Sequence, residues 1–167
     1  MTEFEKKVDM LLTKISTLLT KRNWRMATAE SCTGGWIAKC CTDRVGSSAW
    51  FDRAYIAYSY RAKEQMLGVV HADLLKYGAV SKEIASQMAI GAQQHSKAAV
   101  TVASTGIAGP DGGMPGKPVG LVHFGWCIED QPVCCDAAVF GGDRNSVRQQ
   151  TVLHALEGII SRLDVLA

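Results

Sequence analysis

Thr28-Ala29-Glu30-Ser31-Cys32-Thr33-Gly34-Gly35 lies between a short apolar run and a helical one, Trp36 to Cys41. A strand therefore feeds, through a small polar turn, into the start of a helix, the connection from which α/β folds are built. Such a turn aims free backbone N–H groups and a positive helix end at one spot. Gly34 and Gly35 let a ligand approach the backbone closely. Ser31 and Cys32 place two nucleophiles there. Taken alone, the turn reads as an anion cradle, a nucleophile turn or both. The plainer reading is a capped helix with Ser31 or Thr33 as N-cap.

The chain has 167 residues, 47% hydrophobic and 20% charged, which fits one globular domain with a real core. A net charge of +2 is too small to argue for a nucleic-acid partner or an anionic membrane. No apolar run is long enough to span a bilayer, and Met1 to Lys7 is too polar for a signal peptide. A cytoplasmic location is expected. The six cysteines, Cys32, Cys40, Cys41, Cys127, Cys134 and Cys135, show no C-x-x-C spacing, so reduced and mostly buried thiols are expected. Only Cys32 stands where a helix N-terminus would lower its pKa. Nothing calls for a metal or a cofactor.

Outward from the turn, apolar residues from Phe4 to Leu19 recur at helical spacing, giving a helix over residues 3 to 22 that stops at Asn23. Trp24 to Thr28 fits a strand, and the helix after the turn runs to about Thr42. Ala54 to Tyr58 reads as a buried strand. Ser59 caps a short helix through Lys63 to Leu67, ended by Gly68. His71 to Tyr77 is a further helical piece, and a longer helix runs from Ser81-Lys82-Glu83 to about Ser96. Ala98 to Ala103 is a small apolar run suited to a central strand covered on both faces. A glycine-rich loop, Ser104 to Gly113, follows it. Pro118 to Ile128 and Val133 to Phe140 form a hairpin, and Gly141-Gly142-Asp143 caps a last helix from Arg144 to about Leu163. Alternating helices and strands followed by a hairpin give an α/β layered domain with a mixed sheet.

Two polar, glycine-bearing loops thus follow strands, at 29–35 and 104–113, and ligand sites in open α/β sheets gather at such ends. Arg144 and Arg148 are four apart on one helix face and suit a phosphate or carboxylate. A solvated arginine pair is the plainer account. Gly116-Lys117 is no P-loop, since Asp111 stands where the first glycine belongs and Pro118 replaces the Ser or Thr. Ser31, flanked by Glu30 and Cys32, is not in a G-x-S-x-G elbow. None of His71, His95, His123 and His154 stands in a useful pair. Lys63, just beyond the Ala54–Tyr58 strand, is the remaining base, provided that desolvation keeps it neutral. Tyr55, Tyr58 and Tyr60 supply an apolar wall, and Tyr58 is placed to relay a proton or orient the lysine.

Several segments together carry a resemblance: Thr28 to Trp36, Gly46-Ser-Ser-Ala-Trp-Phe51, Gly78-Ala-Val-Ser81, Thr105 to Gly113 with Lys117-Pro-Val-Gly120, and Gly142-Asp-Arg144 with Arg148. In this order and over nearly the whole chain, the sequence resembles the CinA C-terminal domain family, whose enzymatic members are nicotinamide-nucleotide amidases. The resemblance implies one domain over residues 1–167, a three-layer α/β fold with a mixed, mainly parallel sheet and helices on both faces, and a homo-oligomer. It implies hydrolysis of nicotinamide mononucleotide to nicotinic acid mononucleotide and ammonia by a serine and a lysine. Those fall on Ser31 and Lys63, with the family's tyrosine on Tyr58. Cys32, Thr33, Gly34, Gly35, Thr105, Gly106, Arg144 and Arg148 are the expected substrate contacts. Where the family shows Asn then Glu after Tyr58-Ser59, this chain has Tyr60 and Arg61. A second reading therefore stands beside the first: a relative that binds a nucleotide without turning it over and acts through assembly. A third makes Cys32 the nucleophile.

Overall fold

The first helix, α1 (Glu3–Arg22), begins on a capping box in which Thr2 and Glu5 satisfy each other's backbone N–H. It ends where Asn23 turns left-handed. Trp24 still belongs to that stop, because its N–H donates to Leu19 O at 2.9 Å. The first strand therefore starts later than the sequence reading placed it, as β1 (Met26–Glu30), with every residue buried. The computed structural model describes residues 1–166.

The remaining elements follow in order: α2 (Trp36–Thr42), β2 (Phe51–Ile56), α3 (Tyr60–Leu67), α4 (His71–Tyr77), α5 (Lys82–Ser96), β3 (Val100–Gly106), β4 (Leu121–Ile128), β5 (Cys134–Val139) and α6 (Arg144–Val165). The sheet order is β2-β1-β3-β4-β5. β1 lies parallel to both β2 and β3, while β3–β4 and β4–β5 are antiparallel. The carboxyl ends of β1, β2, β3 and β5 consequently share one edge of the sheet.

Two boundaries differ from the sequence reading for physical reasons. β2 runs Phe51–Ile56 rather than Ala54 to Tyr58, and as an edge strand paired on one side only it is partly exposed rather than buried. β3 continues through Ser104, Thr105 and Gly106, which pair in register with Phe124, His123 and Val122. The glycine-rich loop begins only at Ile107. A Cβ on Gly106 would lie 2.6 Å from Val122 Cγ2, so this pairing requires glycine.

Alternation along the strands builds two cores. Val100 and Val102 face α1, α2 and α6, joined by Leu12, Ile15, Phe124 and Trp126. Ala29 and Ala103 face the other way, against Leu67, Leu74, Ile84 and Met88 of α3, α4 and α5. The result is a three-layer α/β/α arrangement. No helix among the described residues is long and apolar enough to cross a membrane.

Candidate active site

β1 ends at Glu30, and the next N–H, that of Ser31, donates to Ser104 O of β3 at 3.0 Å. The chain leaving β2 is held alongside, since Ala57 N–H donates to Glu30 O at 2.9 Å. Ser59 then caps α3 by accepting from Ala62 N–H. One turn on, Lys63 sits on the buried face of α3 with Leu67. Its Nζ donates to Ser31 Oγ at 2.9 Å and to Tyr58 O at 2.7 Å. Lys63 is 1% exposed and Ser31 7%. Burial without a facing carboxylate pushes the Lys63 pKa down from 10.5 to about 8. About one lysine in ten is then neutral at pH 7, enough for a base to be drawn on.

Cys32 behaves opposite to the sequence expectation. Burial first, with the Glu30 carboxylate adding to it, pushes its thiol up to about 12. The helix end that was to lower it is occupied, because Ile37 and Ala38 N–H both donate to Glu30. A thiol held neutral is a poor nucleophile. Cys32→Ala is therefore expected to stay within about tenfold of the parent turnover, while Ser31→Ala loses it. Parallel assays of the two variants read the difference. All six cysteines are free, and Cys32, Cys40, Cys41 and Cys127 are buried.

Apart from Thr105, the remaining expected site residues divide between two cavities. A cleft of about 220 Å³ next to the Ser31–Cys32 turn is lined by Cys32, Tyr58, Arg144, Asp111, Gly112 and residues 106–109. A larger groove of about 910 Å³, between α1, α2 and the start of α6, takes Thr33, Gly34, Gly35 and Arg148. Arg148 does not reach the cleft with its guanidinium. Its Nε donates to Cys32 O and its Nη2 to Thr33 O, each at 3.0 Å, and it lies over the Trp36 ring. It braces the 31–35 turn from behind. Arg144 lies on the cleft side, where Nη1 donates to Gly109 O at 2.8 Å. The shared helix face holds, but the two guanidinium groups serve different cavities.

Tyr58 also acts through a different atom than expected. Its phenol is turned outward, the residue is 63% exposed, and the hydroxyl lies 3.5 Å from Arg144 Nη2. The main-chain carbonyl, not the ring, orients Lys63. The three tyrosines form no common wall, since Tyr55 packs edge-on against His95 and the Tyr60 hydroxyl accepts from Ala79 N–H at 3.4 Å. Thr105 is buried and donates to Ala79 O at 2.9 Å, tying the end of β3 to the 78–81 turn. Among the described residues no histidine hydrogen-bonds Ser31 or Lys63; His71 pairs with Glu64 and His154 with Asp136.

Glu30 is absent from the expected site residues yet stands at the centre of the turn's hydrogen bonds. It is fully buried, directly precedes Ser31 and accepts four hydrogen bonds. The available signal was an acid ending an apolar strand just before a small polar turn.

Residues 8–163 match the CinA C-terminal domain family. The chain is 46% identical to a protein of Enterobacter agglomerans named nicotinamide-nucleotide amidohydrolase PncC, over 92% of this chain and 93% of that one. A protein of the same name from Pseudomonas putida is 44% identical, over 92% and 95%. The fold matches the crystal structure of the competence/damage inducible protein CihA from Agrobacterium tumefaciens with a TM-score of 0.93 and 43% identity, covering 98% of this chain and 99% of that one.

Proposed function

The chain belongs to the CinA C-terminal domain family, and on that premise we propose that it hydrolyses nicotinamide mononucleotide to nicotinic acid mononucleotide and ammonia. Ser31 is the nucleophile and Lys63 the base. The observation that carries this reading is the buried contact of Lys63 Nζ with Ser31 Oγ at 2.9 Å, with the lysine's pKa lowered to about 8.

Neutral Lys63 takes the hydroxyl proton while Ser31 Oγ attacks the carboxamide carbon. The N–H groups of Cys32 and Thr33 donate to no oxygen among the described residues. A trans peptide points its N–H opposite its C=O, so the Cys32 carbonyl's bond to Arg148 turns the Thr33 N–H away from Arg148. These two groups are the oxyanion donors. Protonated Lys63 then gives its proton to the departing nitrogen, and ammonia leaves. Water, deprotonated by Lys63, cleaves the nicotinoyl ester and restores Ser31.

The cleft presents one charge of each sign, Arg144 and Asp111. The substrate does likewise, with a cationic pyridinium ring and an anionic phosphate. Arg144→Met is expected to raise KM for the mononucleotide about 10- to 100-fold, the worth of one charge-assisted hydrogen bond, with kcat nearly unchanged. Steady-state kinetics on the folded variant check this.

Tyr60 leans on the 78–81 turn through Ala79 N–H and leaves the Ser31–Lys63 contact in place, which favours turnover over the silent relative. Ammonia release from nicotinamide mononucleotide by purified protein, beside a Lys63→Ala control, decides between them. Release that vanishes in the control supports the amidase; binding without release supports the silent relative. A homo-oligomer in the cytoplasm belongs to the same proposal. The exposed edge of β2 and the free thiols are consistent with it, and light scattering and cell fractionation test it.

A further inference from the structure

Glu30 carries a carboxyl group with no exposed surface and no cationic partner among the described residues. A buried carboxylate persists only when hydrogen bonds replace its hydration. Here they are complete. One oxygen accepts from Thr33 Oγ1 at 2.7 Å and Ile37 N–H at 2.9 Å. The other accepts from Thr28 Oγ1 and Ala38 N–H, each at 3.0 Å.

The sources of those donors matter more than their number. Thr28 lies in β1, before the nucleophile. Thr33 lies inside the 31–35 turn. Ile37 and Ala38 lie in the first turn of α2. The carboxylate therefore joins strand, turn and helix around Ser31. α2 has no other side-chain cap, because its N-cap is Gly35 in a left-handed conformation. Thr33 Oγ1 also meets Ser104 Oγ at 2.9 Å, extending the network to β3. Arg148 holds the same turn by its carbonyls from the other side.

We propose that Glu30 is a positioning residue: its buried carboxylate sets the shape of the 31–35 turn, which keeps Ser31 Oγ on Lys63 Nζ and the Cys32 and Thr33 N–H groups free for the oxyanion. It touches neither substrate nor reacting atoms. This rests on reading Ser31 as the nucleophile.

Glu30→Gln keeps the shape but sets an amide donor against hydrogen-bond donors. Thr33→Val removes one donor and the link to Ser104, and Thr33→Ser restores the hydroxyl. Each is compared with the parent by thermal melting, by kcat and KM for nicotinamide mononucleotide, and by the rate at which a fluorophosphonate labels Ser31. In folded Glu30→Gln and Thr33→Val, kcat and labelling rate are expected to fall about tenfold or more, with KM within about threefold, because small misplacements of a nucleophile act on the chemical step. Thr33→Ser should return both. Folded variants that label and turn over within about twofold of the parent, or that lose only KM, overturn the proposal. If Glu30→Gln does not fold, the Thr33 pair decides. A parent protein that labels at Ser31 but releases no ammonia overturns the amidase reading, while the labelling rates still read the role of Glu30.

Discussion

Ser31→Ala and Lys63→Met are each expected to lose ammonia release while the protein stays folded. Removing the nucleophile is expected to cost on the order of 10^6 in kcat, the scale seen when a serine nucleophile is deleted. Removing the base costs about 10^2- to 10^4-fold. Lys63→Arg should be as inactive as Lys63→Met, because a guanidinium is never deprotonated and so cannot act as a base. In the parent, kcat/KM should rise with pH through about 8, as Lys63 gives up its proton, and level off above it. Stability follows the same group. The folded pKa of about 8 lies below the unfolded value near 10.5, so the folded protein binds fewer protons between them. The parent therefore gains stability relative to Lys63→Met as pH rises from about 8 to about 10.5, by up to about 3 kcal/mol. Below pH 8 the buried ammonium is a constant cost. Its loss in Lys63→Met is offset by the loss of the charge-assisted hydrogen bond to the Tyr58 carbonyl, worth about 1.5–3 kcal/mol. Lost activity at pH 7 is then not lost folding, which melting curves for the variants check.

Gly158→Ala is the second large effect, and it falls on the fold. A Cβ at Gly158 would lie 2.2 Å from Trp126 Cζ2 and 2.3 Å from Cε2. The indole has nowhere to go. Its Nε1 donates to Ala155 O at 3.0 Å, it stacks on Phe124, and the Arg162 guanidinium covers it at 3.7 Å. In an exposed helix the change to alanine would add about 1 kcal/mol of stability. Here overpacking outweighs it, and a net loss of about 2–3 kcal/mol is expected, or roughly 5–10 °C in Tm. Gly141→Ala is the control, since its Cβ would meet nothing within 4 Å. Thermal melting of the two variants separates contact from composition.

The sequence was most informative where local chemistry decides. Helix α1 could be placed to its ends because amphipathic spacing and the Asn23 stop are written in adjacent residues. Ser31 and Lys63 were legible as the end of one strand and the start of a helix after another. What stayed hidden was set by distant partners. The sequence points to the Tyr58 phenol, yet its carbonyl holds Lys63, and main-chain roles leave no mark in a side-chain pattern. Arg144 and Arg148 share a face by spacing, but only the tertiary fold shows that one meets the carbonyls of the 31–35 turn. The Cys32 expectation failed because it assumed an open helix end, which Glu30 fills. β2 looked buried because aromatic content reports a covered face without reporting position in the sheet.

The most direct measurement is acid quenching of the Cys32→Ala protein during turnover of nicotinamide mononucleotide, followed by mass spectrometry of the peptide bearing Ser31. The nucleotide less its ammonia should be attached to Ser31 as an ester, and should be absent from a Ser31→Ala control. Steady ammonia release with no adduct on Ser31, or with the same adduct on another residue, would contradict the serine–lysine mechanism.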